Sequence, residues 1–193
     1  MIQNETVQGF FKDYNIPAEN FNNLLDKLAA VDSRHLRDIK LNVNGVINSK
    51  HLNKKEAYLL ALACAYNEKN TTLQTSFETL AANEGATKEE IAEVAACVSV
   101  MITNNVFYRF RHYMADVDFY EKQPAGLRMS VMMNPVLGKE FFELMSLIIS
   151  ALNGCERCVT SHEKSVKEQG ASEARIYDAI RLGAVIKSLC AIV

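Results

Sequence analysis

Cys155, Cys158 and His162 follow one another at spacings of three and four residues, and Glu143 lies upstream with eleven residues between it and Cys155. An α-helix turns by 100° per residue, so positions i, i+3 and i+7 share a face, and two thiols and an imidazole converge there. The dipeptide Asn153-Gly154 breaks the chain just before Cys155. It places the dithiol in the first turn of a helix, where unpaired amides and the macrodipole favour a thiolate. That argument alone favours Cys155 as nucleophile. His162, four residues beyond Cys158, is a candidate base within direct or water-bridged reach of Cys158. If the helix carrying Glu143 packs antiparallel to the cysteine helix, its carboxylate could hold the far ring nitrogen and set the tautomer. The chemistry open to such a set is thiol oxidation and thiol–disulfide exchange. A zinc half-site built from the same four residues is the alternative, but structural zinc sites usually recruit a second thiol pair and none lies nearby in sequence. We therefore expect no metal and no bound cofactor.

The remaining candidates are weaker. Cys64, Cys97 and Cys190 sit in apolar helical text as small core residues, and His35, His51 and His112 form no comparable cluster. Glu156 and Arg157 are expected to be solvated. A charged fraction of 23% and a net charge of −2 provide no broad basic field, which argues against nucleic acid as a partner. The start Met1-Ile2-Gln3-Asn4-Glu5 lacks the basic and apolar regions of a signal peptide. Apolar stretches are broken by polar residues short of the roughly 20 that a membrane span requires. The expectation is a cytoplasmic protein without a membrane anchor.

The elements that must position these residues are helices. Three prolines, eight glycines and little period-2 alternation indicate an all-α chain. Pro17 is expected to open a helix through Phe21, Leu24, Leu25 and Leu28, and Asp32-Ser33 to cap the next. Gly85-Ala86-Thr87 and Gly170-Ala171-Ser172 repeat a stop-and-cap spelling 85 residues apart. At that offset Lys54 meets Lys139, Leu59 meets Leu144, Leu62 meets Leu147, Glu78 meets Glu163 and Ile91 meets Ile176. The chain reads as N-terminal helices 1–52, a first three-helix repeat 53–115, a connection 116–137 with a short helix near Leu127 to Met132, and a second repeat 138–193, packed as one pseudo-symmetric domain. Cys155, Cys158, His162 and Glu143 face Asn70, Leu73, Phe77 and Tyr58 of the first repeat, so only the second carries the chemistry.

Glu143, the Asn153-Gly154-Cys155-Glu156-Arg157-Cys158 run, His162 and the segment Asn104-Asn105-Val106-Phe107-Tyr108-Arg109 together resemble the alkyl hydroperoxide reductase D (AhpD) family, the two-repeat branch of the carboxymuconolactone decarboxylase-like superfamily. The resemblance spans most of the chain. It implies an AhpD-like helical fold and a thiol-dependent alkyl hydroperoxidase that also regenerates an AhpC-type peroxiredoxin. A lipoamide-type dithiol, carried on a dihydrolipoamide-bearing protein, would recharge it. It further implies that Cys158 becomes the sulfenic acid, that Cys155 donates a proton and closes the disulfide, that Glu143 and His162 assist, and that the chain forms a trimer. An electron shuttle with little peroxidase activity is the alternative; the decarboxylase chemistry of the wider superfamily needs no dithiol. The resemblance fails at Arg157, where close relatives commonly carry histidine. Arginine cannot shuttle protons near neutral pH.

Overall fold

The computed structural model describes residues 2–193. Its helices are α1 (Glu5–Asp13), α2 (Asn23–Ala30), α3 (Arg34–Ile47), α4 (Lys54–Asn67), α5 (Thr71–Asn83), α6 (Lys88–Tyr113), α7 (Asp118–Lys122), α8 (Lys139–Leu152), α9 (Glu156–Glu168) and α10 (Glu173–Cys190), with single 3₁₀ turns at Ala18–Asn20 and Ser130–Met132. Among the described residues there is no strand.

The helix boundaries carry the internal repeat. α4 and α8 start and stop 85 residues apart, as do α5 and α9, and α10 starts 85 residues after α6. The cause is local. Capping boxes at Asn53/Glu56 and Thr87/Glu90 start α4 and α6, each satisfying two otherwise orphaned amides. Schellman turns end α5 and α9 at Gly85 and Gly170, both at positive φ. The interior is built on α4 and α8. Every residue from Ala57 to Ala65 and from Phe141 to Ser150 is buried, as expected of helices enclosed on all sides.

Charged groups lock one repeat to the other. Glu93 on α6 accepts from the Val136 and Leu137 amides just before α8, at 2.6 and 2.7 Å. Its counterpart at the repeat offset, Asp178 on α10, accepts from the His51 amide just before α4, and its Oδ2 lies 2.8 Å from His51 Nδ1. Lys55 pairs with Glu90 at 2.8 Å in the first repeat. In the second, Glu140 and Arg175 occupy the same two positions with the charges exchanged, also at 2.8 Å. Arg175 additionally reaches across to Glu56 at 2.7 Å, so this pair ties α10 to α4.

Several expectations need correction. Pro17 does not open a long helix: it precedes the 3₁₀ turn at Ala18–Asn20, and Asn22 caps α2 by accepting from the Leu24 and Leu25 amides. Within 116–137 the regular structure is α7 and the turn Ser130–Met132, shorter than the expected Leu127 to Met132 helix. The Asn104 to Arg109 segment continues α6. Despite its polar residues, α6 is long and apolar enough by length and composition to cross a membrane, with a mean hydropathy of 1.4 over 18 residues. Here it packs against α4, α8 and α9, and buries Glu93, Asn104, Asn105 and Arg111.

Burial raises the Glu56 carboxyl, but the bonds from Arg175 and Asn53 outweigh it and hold the group below its ordinary value of 4.5. A carboxyl depressed on folding contributes stability that is complete above its unfolded value and is lost as pH falls through the folded one. Glu56→Gln is therefore expected to cost about 1–3 kcal/mol at neutral pH and to flatten the acid limb of the stability curve. Denaturant titrations from pH 7 to 3 check this; an unchanged acid limb would contradict it.

Candidate functional site

The site begins with the turn between α8 and α9. Gly154, at φ +66°, gives its amide to Ala151, and the Cys155 amide bonds to Ser150 at 3.1 Å. These two bonds form a Schellman motif, and its last residue is at once the N-cap of α9. The matching turn of the first repeat has Lys69 at φ +59° and Asn70 as cap, whose side chain accepts from the Leu73 amide. Cys155 offers no such acceptor, so α9 starts without a side-chain cap. The amides of its first turn, including that of Cys158, are left to meet a developing negative charge.

Cys155 and Cys158 are joined in a disulfide, with Cα atoms 5.3 Å apart. The two sulfurs differ in access. Cys155 is fully enclosed, whereas Cys158 retains 6% exposure and lines a cavity of about 340 Å³ with Asn104, Tyr108, Met129, Arg157, Ser161 and His162. His162 is buried, and its Nδ1 lies 2.7 Å from Glu143 Oε2. An ionised carboxylate can only accept, so Nδ1 carries the proton in this pair and Nε2 is free to act as base when the ring is neutral. Burial raises the Glu143 carboxyl, yet the His162 bond, its charge and Lys139 together hold it below its ordinary value.

Two further networks hold the site. Asn153 exchanges amide bonds with Asn67 and gives one to Asn105 at 2.9 Å, while Asn105 bonds Ser150 Oγ at 2.9 Å and Arg109 donates to the Asn153 carbonyl. The turn before Cys155 is thereby fastened to α4 and α6. Arg111, buried on α6, donates to the carbonyls of Tyr120, Glu121 and Gln123, and the Glu121 side chain grips Arg157 at 2.9 and 3.2 Å. Arg157 is thus paired as well as solvated, and Glu121 raises its pKa.

The four reactive residues named from the sequence lie together: Glu143 bonds His162, and Cys158, bonded to Cys155, shares the cavity wall with His162. Spacing reasoning missed Glu121, Met129, Met132 and Ser161, which reach the site from other elements or from the flank of α9, and Tyr108 entered only through the family resemblance. The paired amides at Asn104 and Asn105 are a signal it could have used, since asparagine is a poor residue for a helix interior. Asn104 Nδ2 donates to Met129 Sδ, and its Oδ1 is buried without a hydrogen-bond partner among the described residues. The other cysteines lie apart: burial pushes the Cys97 and Cys190 thiols up to about 12 and Cys64 higher, which keeps them protonated. No group of three or more His, Cys, Asp or Glu side chains among the described residues converges to hold a metal.

A repeated all-helical frame presenting a C-x-x-C pair on a histidine–carboxylate support defines a CxxC-type thiol redox class. The chain belongs to the AhpD family. It is 42% identical over 152 residues to an alkyl hydroperoxide reductase AhpD of Azorhizobium caulinodans, covering 79% of this chain and 83% of that protein. It is 38% identical over 168 residues to one from Solibacter usitatus, covering 87% and 94%. The carboxymuconolactone decarboxylase family matches residues 120–193, the part that contains the second repeat. A solved structure described as a gamma-carboxymuconolactone decarboxylase subunit of Burkholderia xenovorans superposes with a TM-score of 0.66 over 96% of this chain and 93% of that one. At 14% identity that likeness speaks to the fold alone.

Gly154 has no atom within 4 Å of a Cβ placed on it, so Gly154→Ala meets only the left-handed backbone penalty of about 1–2 kcal/mol. Gly183, inside α10, carries no such penalty; Gly183→Ala instead brings a Cβ to 2.7 Å from Ile148 Cγ2, a collision between α10 and α8. Chemical denaturation of both variants is expected to show Gly154→Ala destabilised by about that penalty. A change under a few tenths of a kcal/mol would mean that the turn does not hold Gly154 at positive φ.

Proposed function

We propose that the protein is a thiol-dependent alkyl hydroperoxidase in which Cys158 attacks and Cys155 resolves. The observation that carries the assignment is the unequal access of the two sulfurs: Cys158 lines the cavity and Cys155 is enclosed. The Cys158 thiolate attacks the terminal peroxide oxygen, the O–O bond breaks, and the alkoxide takes a proton to leave as alcohol. The sulfur is oxidised by two electrons to the sulfenic acid. Cys155 then attacks that sulfur, giving up its thiol proton, and water leaves as the disulfide forms. His162 Nε2 is the base that generates the Cys158 thiolate, and Glu143 positions the ring through Nδ1. Arg157, held by Glu121, supplies charge near the cavity and no proton relay.

An external dithiol of the lipoamide type returns the disulfide to two thiols, and an AhpC-type peroxiredoxin is the partner that draws electrons from the pair; the family likeness supports both. No bound metal or cofactor enters these steps. The first repeat is structural and the second catalytic within one domain. Three free cysteines suit a reducing compartment such as the cytoplasm. Ile102, Val106, Phe110, Tyr113 and Phe119 form an exposed apolar face on α6 and α7, which supports burial against further copies, a trimer by family likeness.

The order of attack is tested with reduced protein, cumene hydroperoxide and a sulfenic-acid trap. Cys155→Ser is expected to accumulate trapped adduct on Cys158, while Cys158→Ser is expected to lose rapid peroxide consumption altogether. Adduct on Cys155 in the Cys158→Ser variant would reverse the roles. Thiols that survive peroxide for minutes in the parent protein would leave only the electron-shuttle reading.

A further inference from the structure

The repeat offers an internal comparison at its two cavities. The one over Cys158 is walled by Met129, Met132, Ser161 and His162. Their counterparts 85 residues earlier are Asn44, Ile47, Ser76 and Phe77. Asn44 and Ile47 line a second cavity together with Tyr14 and Tyr58, and Tyr58 is the counterpart of Glu143. Both walls end in the same six-residue lead into the next helix, from Asn48 to α4 and from Met133 to α8.

In the first repeat a residue of the N-terminal helices packs against this wall. Tyr14, the C-cap of α1, is 5% exposed. Its ring stands edge-on to Phe77, with centroids 6.4 Å apart. Its main-chain carbonyl accepts a hydrogen bond from Ser76 Oγ. An aromatic ring thus rests against Phe77, the counterpart of His162, and an oxygen acceptor a few bonds away meets the hydroxyl corresponding to Ser161. Ser161 itself is exposed on the cavity wall and makes no side-chain hydrogen bond among the described residues.

We propose that Ser161 is a ligand-positioning hydroxyl, and that the cavity over Cys158 receives an aryl group linked to an acceptor oxygen, the substrate class being aralkyl hydroperoxides. The inference rests on the peroxidase reading and deepens it. Met129 and Met132 replace Asn44 and Ile47 on the wall, and thioether sulfur packs well against aromatic rings. Ser161 donates to a peroxide oxygen and orients the O–O bond toward Cys158. It lies on the residue before His162, so α9 carries the positioning hydroxyl and the base together.

The test measures oxidation of the reduced protein by cumene hydroperoxide and tert-butyl hydroperoxide, each rate divided by that of a small free thiol. Cumene hydroperoxide is expected to react about tenfold or more faster. Ser161→Ala should lose about fivefold of that rate through a raised KM, Ser161→Thr should restore it, and the pH profile should not move. Ser76→Ala, remote from Cys158, should lower stability and leave rates unchanged. Equal normalised rates for the two peroxides, or a Ser161→Ala rate equal to the parent's, overturn the inference and leave the peroxidase reading standing. If neither peroxide reacts, the peroxidase reading falls. Saturation-transfer NMR with 2-phenyl-2-propanol then decides the cavity: binding weakened by Ser161→Ala supports the positioning role, and no binding overturns it.

Discussion

The buried hydrogen bond between Glu143 and His162 is the constraint on which the site depends. It joins α8 to α9, the helix hairpin that also carries the two cysteines, and it fixes which ring nitrogen is left toward the cavity. An unpaired carboxylate at this depth would be costly, and without His162 the only cation left beside Glu143 would be Lys139, 3.7 Å away. The bond therefore demands that α8 and α9 keep one register. The Schellman turn at Gly154 supplies that register by handing the end of α8 directly to the start of α9.

The repeat explains why such a site can sit in a stable frame. Two copies of a three-helix unit are joined by paired acid clamps, Glu93 and Asp178, and by Arg175, which reaches across to Glu56. The first copy has Tyr14 of the N-terminal helices packed against Phe77 and caps its second helix with Asn70. The second gives up that cap for a cysteine, at a cost of about 1 kcal/mol in helix stability, and leaves the first-turn amides for a thiolate.

Much of this could be read from residue spacing. The face shared by Cys155, Cys158 and His162, the stop glycines, the Thr87 capping box and the 85-residue offset are short-range patterns, because helix geometry is local. The case for Glu143 rests as much on the family resemblance as on spacing, which brings it round only if the two helices run antiparallel. The features missed are contacts between elements distant in sequence. Tyr14 reaches Ser76 across 62 residues, and Glu121 reaches Arg157 across 36; no periodicity encodes either. α7 is five residues long, too short to leave a helical pattern, yet Arg111 holds it against the site. Pro17 misled because its fixed φ suits a 3₁₀ turn as well as a helix start.

The central claim is that the Glu143–His162 pair makes Cys158 reactive. The direct measurement is the pH dependence of Cys158 alkylation, followed by mass spectrometry of its peptide in reduced protein with Cys155→Ser, with and without Glu143→Gln. With the carboxylate gone the imidazolium loses its partner and the thiolate loses the cation beside it. The account predicts a rate at neutral pH reduced about tenfold, as a rise of about one unit in the thiol pKa would give, and a midpoint moved to higher pH. Superimposable profiles would contradict it.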